Sequence, residues 1–121
     1  MNIKDNSYLC QNKQSGMIVT FEEDYLCDLY EKGKTDDKKH RYQPEIVRKY
    51  KRCIDMLLDA SGIEALYEIN SLNYEVLKGA KQGRSSIRVN KQYRIEFTVT
   101  EDSAEPIVTV CNILELSNHY K

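Results

Sequence analysis

No stretch of this sequence approaches the ~18 consecutive apolar residues that a membrane-spanning helix needs. Met1–Gly16 (MNIKDNSYLCQNKQSG) is polar and lacks the apolar core of a secretory signal. There is no CxxC pair. Cys10, Cys27, Cys53 and Cys111 are scattered, and only His40 and His119 stand beside them as further soft ligands. That pattern argues against a zinc site and for four reduced thiols in a cytoplasmic protein, three of them in apolar settings. A cationic surplus is also missing. Lys and Arg total 18 against 19 Asp and Glu, a net charge of −1, which excludes a protein basic all over but hides an uneven distribution. No internal repeat or low-complexity tract is visible.

What is present suits one domain: 121 residues, 40% of them hydrophobic. Residues 1–16 are expected to form an N-terminal extension, and the domain proper to run from 17 to 121. MIVTF at Met17–Phe21 suits a first strand. In EEDYLCDLYEKG, Tyr25, Leu26, Leu29 and Tyr30 recur at helical spacing. Glu22, Glu23 and Asp24 gather near the helix start, where the dipole favours anions, and Gly33 supplies a stop. After the charged stretch KTDDKKHRY, Pro44 opens a second helix. Ile46, Val47, Tyr50, Cys53, Ile54, Leu57 and Leu58 follow at steps of three and four, the strongest helix signal in the chain. Arg48, Lys49, Lys51 and Arg52 take the other face, either as a solvated surface or as a contact for ribosomal RNA or an acidic protein. Ser61-Gly62 breaks the helix, and a short helical turn through Leu66 is expected.

The remainder reads as sheet: LNYEVLK, RSSIRV, QYRIEFTV and PIVTVCNIL as strands, with a Gly79–Gly83 turn, an EDSAEP loop and the tail ELSNHYK. The predicted fold class is therefore α+β: a short N-terminal strand, two helices, then an antiparallel meander of three to four strands with the helices on one face.

Parity fixes the hairpin within RSSIRVNKQYRIEFTV. Ile87, Val89, Tyr93, Ile95, Phe97 and Val99 share one face, and Ser86, Arg88, Arg94, Glu96 and Thr98 the other. A two-residue turn would set Ile87 against Arg94. A three-residue loop, Asn90–Gln92, pairs Val89 with Tyr93, Arg88 with Arg94 and Ile87 with Ile95, and keeps every apolar side chain together. Opposed like charges cost about 0.2–1 kcal/mol unless an anion lies between them. Guanidinium forks match phosphate oxygens, so a phosphate is the natural occupant. From Lys78 to Arg94 the basic residues are Lys78, Lys81, Arg84, Arg88, Lys91 and Arg94, with no carboxylate among them. This local surplus suits a phosphate-rich partner; the plain alternative is a solvated strand face partly neutralised by Glu75 and Glu96.

With these residues in view, the sequence resembles the HigB branch of the RelE/ParE toxin superfamily. The resemblance is carried by LKG at Leu77–Gly79, SIRVNKQYRIEF at Ser86–Phe97, and LSNHY at Leu116–Tyr120, in that order. It spans roughly Met17 to Lys121. It implies a RelE-like domain and a bacterial toxin of a type II toxin–antitoxin pair, cutting mRNA in the ribosomal A site, with ribosomal RNA as a further contact. It also implies neutralisation by a cognate HigA-like antitoxin with a helix-turn-helix domain. No cofactor is implied. Carried over by position, Lys78 matches the lysine of the L-K-G turn, Arg88 and Arg94 the basic hairpin positions, and His119 and Tyr120 the functional C-terminal residues. The chain departs from many HigB-like toxins just before L-K-G, where a histidine is common and Tyr74-Glu75-Val76 stands here.

RNA can be cleaved when its own 2′-hydroxyl attacks the adjacent phosphorus. The step needs a proton acceptor, charge stabilisation of the phosphorane, and a donor for the leaving 5′-oxygen. Arg88 and Arg94 suit the stabilising role. His119 or Glu75 is the expected base, and Lys78 or Tyr120 the expected donor or phosphate clamp. Lys81, Arg84 and Lys91 are expected to hold the RNA backbone. Tyr74 or Tyr120, rather than the inward-facing Tyr93, would stack a base. Two other readings stay open: a ParE-like poison of DNA gyrase without nuclease activity, and an inactive antitoxin-binding module.

Overall fold

The computed structural model describes residues 10–11, 17–102 and 108–118. Cys10–Gln11 forms a two-residue strand, β1, and Met17–Phe21 forms strand β2. The two pair antiparallel, so sheet pairing begins upstream of Met17. The alternation of β2 buries Met17, Val19 and Phe21 on one face. Helix α1 runs over Asp24–Glu31. Its end is closed by backbone donors from Lys32 and Gly33 to the carbonyls of Asp28 and Leu29. Gly33 has φ +78°, a left-handed conformation in which glycine carries no Cβ penalty.

Helix α2 covers Pro44–Asp59, with Pro44 in the first turn. Its buried residues are Ile46, Val47, Tyr50, Cys53, Ile54 and Leu57, the face expected from their spacing. The Tyr50 hydroxyl donates to the Leu26 carbonyl at 2.7 Å, tying α2 to α1 inside the core. A short helix, α3, spans Ile63–Tyr67 after the Ser61-Gly62 break and buries Leu66.

Four further strands follow: β3 is Glu75–Val76, β4 Ser85–Arg88, β5 Tyr93–Asp102 and β6 Val108–Asn118. Among the described residues the sheet has six strands, in the order β1-β2-β6-β5-β4-β3. The last four in the chain form the expected antiparallel meander. β2 lies parallel to β6, with Val19 beside Cys111 and Phe21 beside Ile113. The hydrophobic faces of β2, β4, β5 and β6 meet α1 and α2 in one core, in which Ile87, Ile95, Phe97, Cys111 and Ile113 are fully buried.

Two strands differ from expectation. The stretch LNYEVLK is extended only at Glu75–Val76, because Leu72 closes a 3-10 turn and Asn73 takes a left-handed φ of +46°. At the other end, ELSN belongs to β6 and not to a tail. It is held there because β5 is long enough to pair through to Tyr93↔Asn118. A bulge makes this compatible with burial. Glu96 pairs with Glu115 and Phe97 with Ile113, leaving Leu114 as an extra residue. Ile113 and Leu116 therefore both face the core, and Glu115 and Ser117 join the opposite face.

Candidate active site

The face of the sheet turned away from the helices carries two rows of side chains. The first crosses four strands, Glu75–Ser86–Glu96–Glu115. The second is Arg88–Arg94–Ser117. Arg88 and Arg94 are directly opposed, as the three-residue loop requires. That loop is locked by Asn90, whose side-chain oxygen accepts from the Gln92 and Tyr93 backbone N–H groups, each at 2.8 Å. The Val89 N–H then closes onto the Tyr93 carbonyl at 2.9 Å.

Beneath the arginines lies Glu96, with no solvent exposure. Its Oε1 takes Lys81 Nζ at 2.9 Å and Arg84 Nη1 at 2.7 Å; its Oε2 takes Lys81 Nζ at 2.8 Å. Arg84 Nη1 also reaches Glu115 Oε1 at 3.3 Å. Burial pushes the Glu96 carboxyl upward, but the hydrogen bonds from Lys81 and Arg84 outweigh it and hold the group below its usual range. The same contacts raise Arg84, with the Glu96 hydrogen bond first among them. Arg94 stands apart. Its Nε is 3.9 Å from Glu96 Oε2, near enough for charge attraction but too far for a hydrogen bond, and is a buried donor without a hydrogen-bond partner among the described residues. Arg88 is exposed and makes no ion pair with any described residue.

A cavity of about 150 Å³ opens on this pair, lined by Asn73, Glu75, Ser86, Arg88, Asn90, Lys91, Tyr93 and Arg94. Among the residues singled out from the sequence, it brings together Glu75, Arg88, Lys91 and Arg94. Lys81 and Arg84 are directed instead at Glu96, because a buried carboxylate demands charged donors more strongly than open solvent does. Lys78 is exposed at the head of the Gly79–Lys81 turn and does not line the cavity. Tyr74 is turned to the other side of β3. Its hydroxyl shares a hydrogen bond with Ser85 at 3.0 Å, and its ring packs against Tyr67 and Phe97. Tyr93 packs edge-on against Tyr42, as its inward parity implies, yet also contributes to the cavity wall. His119 and Tyr120 lie outside the described residues.

Sequence reasoning missed Glu96 as the organiser of the site. The signal was there: parity set it on the arginine face, at the centre of the longest strand pair. Asn73 was missed too; it takes a left-handed backbone and lines the cavity.

A mixed sheet, antiparallel except where β2 runs beside β6, with helices packed on one face and opposed arginines on the other, has the architecture of a small RelE-type fold. A solved structure described as a YoeB/ParE toxin from Agrobacterium tumefaciens shares that fold. It is 16% identical, covers 84% of this chain and 98% of its own, and gives a TM-score of 0.50. The family model described as RelE-like toxin of type II toxin-antitoxin system HigB matches residues 19–109. Toxin HigB-1 of Vibrio cholerae serotype O1 is 38% identical over 82 residues, 67% of this chain and 82% of that protein. The chain belongs to the HigB-like toxin family of type II toxin–antitoxin systems, which implies a cognate antitoxin as partner.

Proposed function

We propose that this toxin is an mRNA endoribonuclease that acts on the ribosome and is held in check by a HigA-like antitoxin with a helix-turn-helix domain. The observation that carries the reading is the Arg88–Arg94 pair on an open cavity, with Arg94 Nε buried and lacking a hydrogen bond among the described residues. A phosphate there meets two guanidinium groups and supplies the acceptor that Arg94 lacks. In the proposed step the substrate's 2′-oxygen bonds to phosphorus and loses its proton to a base as the phosphorus–5′-oxygen bond breaks. The leaving oxygen is protonated, and a 2′,3′-cyclic phosphate remains. Charge building on the non-bridging oxygens falls to Arg88 and Arg94. Among the described residues lining the cavity, Glu75 is the carboxylate available as base, with His119 the alternative. Lys91 adds positive charge at the rim; Tyr120 is the candidate proton donor, and Lys78, outside the cavity wall, is left with the role of a clamp on the RNA backbone.

Primer extension on cellular mRNA after brief induction tests the reading. Discrete, codon-aligned cuts are expected, and Arg94→Ala should abolish both the cuts and growth arrest at equal protein level. DNA breaks and filamentous cells without mRNA cuts would instead indicate a gyrase poison.

A further inference from the structure

The acids of this chain are placed as unevenly as its bases. From Gln14 to Glu31 it holds five carboxylates and no lysine or arginine. The fold turns the first two of them onto a cavity of about 490 Å³, set between the β2–α1 join, the loop before α2 and the bulged part of β6. Its wall combines three carboxylates, Glu22, Glu23 and Glu115, with three aromatic rings, Tyr25, His40 and Tyr42. The rings are fixed. His40 lies flat on Tyr25, with centroids 3.6 Å apart and planes 7° apart, and its Nδ1 is 3.0 Å from Asp37 Oδ2. The Tyr42 hydroxyl donates to the Leu116 carbonyl at 3.1 Å. Burial pushes the Tyr42 hydroxyl up to about 12 and Tyr25 upward as well, so both phenols stay neutral. The carboxylates are only partly engaged. Glu22 Oε1 accepts from Asn112 Nδ2 at 2.9 Å, and Glu23 has no side-chain partner among the described residues. Arg84, the cation on this wall, reaches Glu115 at 3.3 Å but is held more closely by Glu96, at 2.7 Å. The acids do not converge on one point: among the described residues no three acids, histidines or cysteines are placed to hold a metal ion.

We propose that this cavity docks the antitoxin by receiving an arginine side chain from it. A guanidinium is flat, always charged and rich in donors, and it suits both halves of the wall: its face packs on a neutral ring while its edge reaches the carboxylates. RNA is a poor occupant, because its phosphates would meet Glu22, Glu23 and Glu115. The position matters for neutralisation. Glu115 pairs across the sheet with Glu96, so a partner seated here stands one strand from the floor of the arginine cavity. The choice of the antitoxin as partner rests on the function proposed above; the cavity's preference for a cation does not.

The test is an NMR titration of the full chain with a capped peptide, Ala-Ala-Arg-Ala-Ala, beside the same peptide carrying neutral citrulline in place of arginine. The arginine peptide should shift the signals of His40, Tyr42 and Glu115, and the citrulline peptide should leave them in place. The variant Glu22→Gln/Glu23→Gln should bind the arginine peptide about three- to tenfold more weakly, the scale of two exposed ion pairs. Both substituted residues are exposed, and circular dichroism checks that the fold persists. The purified cognate antitoxin should displace the peptide. Equal binding of the two peptides, unchanged affinity in the variant, or an antitoxin that binds while the peptide stays seated overturns the proposal. So does a single-stranded RNA that moves these signals where the peptide does not. Failure of the nuclease reading appears separately, as mRNA left uncut by the toxin alone while the antitoxin still displaces the peptide.

Discussion

Arg84 joins Glu96 of one strand to Glu115 of the next, donating through Nη1 at 2.7 and 3.3 Å. Lys81 closes the other side of Glu96 at 2.8 Å. The arginine pair therefore sits on a floor whose charges are already matched. With Lys81 and Arg84 bonded to the Glu96 oxygens, Arg94 Nε stands 3.9 Å from Oε2 and finds no hydrogen-bond partner among the described residues.

Glu96→Gln should destabilise the protein by about 1–3 kcal/mol, because Lys81 and Arg84 lose their charged acceptor in a buried setting. Urea denaturation at neutral pH measures it. A wild-type midpoint in the variant would show that the carboxylate has no structural role.

The same group gives a pH dependence. Its folded-state pKa lies below its ordinary value, so its contribution is fully present above the unfolded-state pKa of about 4.3 and is lost as pH falls through the folded value. The stability gap between wild type and Glu96→Gln should be constant near neutrality and narrow in acid. Chemical denaturation from pH 7 down through the acid range follows it; a gap that widens on acidification contradicts the sign.

Arg94→Lys should not rescue function. An ammonium keeps the charge but loses the fork and the Nε donor. Cleavage is expected to fall by about 10²–10³, the scale seen when one donor to a developing oxyanion is removed. The check is a single-turnover cleavage assay beside a thermal melt, in which the melting temperature should barely move.

Cys27, Cys53 and Cys111 should resist thiol reagents in the native state. Burial pushes their thiols up to about 11, 11 and 12, the Cys27 value raised further by Glu31 and Asp28. Little thiolate exists at neutral pH. Mass spectrometry after brief alkylation should find these three unmodified in the native protein and modified after denaturation.

Tyr50→Phe removes one hydroxyl and leaves the buried Leu26 carbonyl without its 2.7 Å donor. A loss of about 1 kcal/mol is expected. Equilibrium unfolding checks it.

The hairpin was legible from the chain alone because its logic is local. Only an odd loop keeps Ile87, Val89, Tyr93 and Ile95 together, and that loop sets Arg88 against Arg94. The α2 face was legible for the same reason, through its period. The parallel pairing of β2 with β6 was not: it joins Met17 to Thr109, and nothing in either segment names its partner. The capture of Lys81 and Arg84 by Glu96 was equally hidden. Sequence shows a cluster of cations near a carboxylate, but only the folded turn at Gly79–Lys81 decides whether their donors reach outward or inward. The shortening of LNYEVLK depends on one left-handed residue, Asn73, which composition does not announce.

The extra residue at Leu114 governs how this fold can change in length. Deleting it would leave Ile113 next to Glu115, an ordinary alternation. Ile113 and Leu116 would still point to the helices, and Glu115 to the arginines. What would go is the local bend and added twist that such an irregularity imparts, and with it the angle at which the strand's end carries Ser117 up to Arg94. An insertion in the regular half of the strand is a different matter, since it turns everything beyond it inside out. The irregularity thus works as an expansion joint: the final strand can lose a residue there and keep its sidedness, while the aim of its tip shifts.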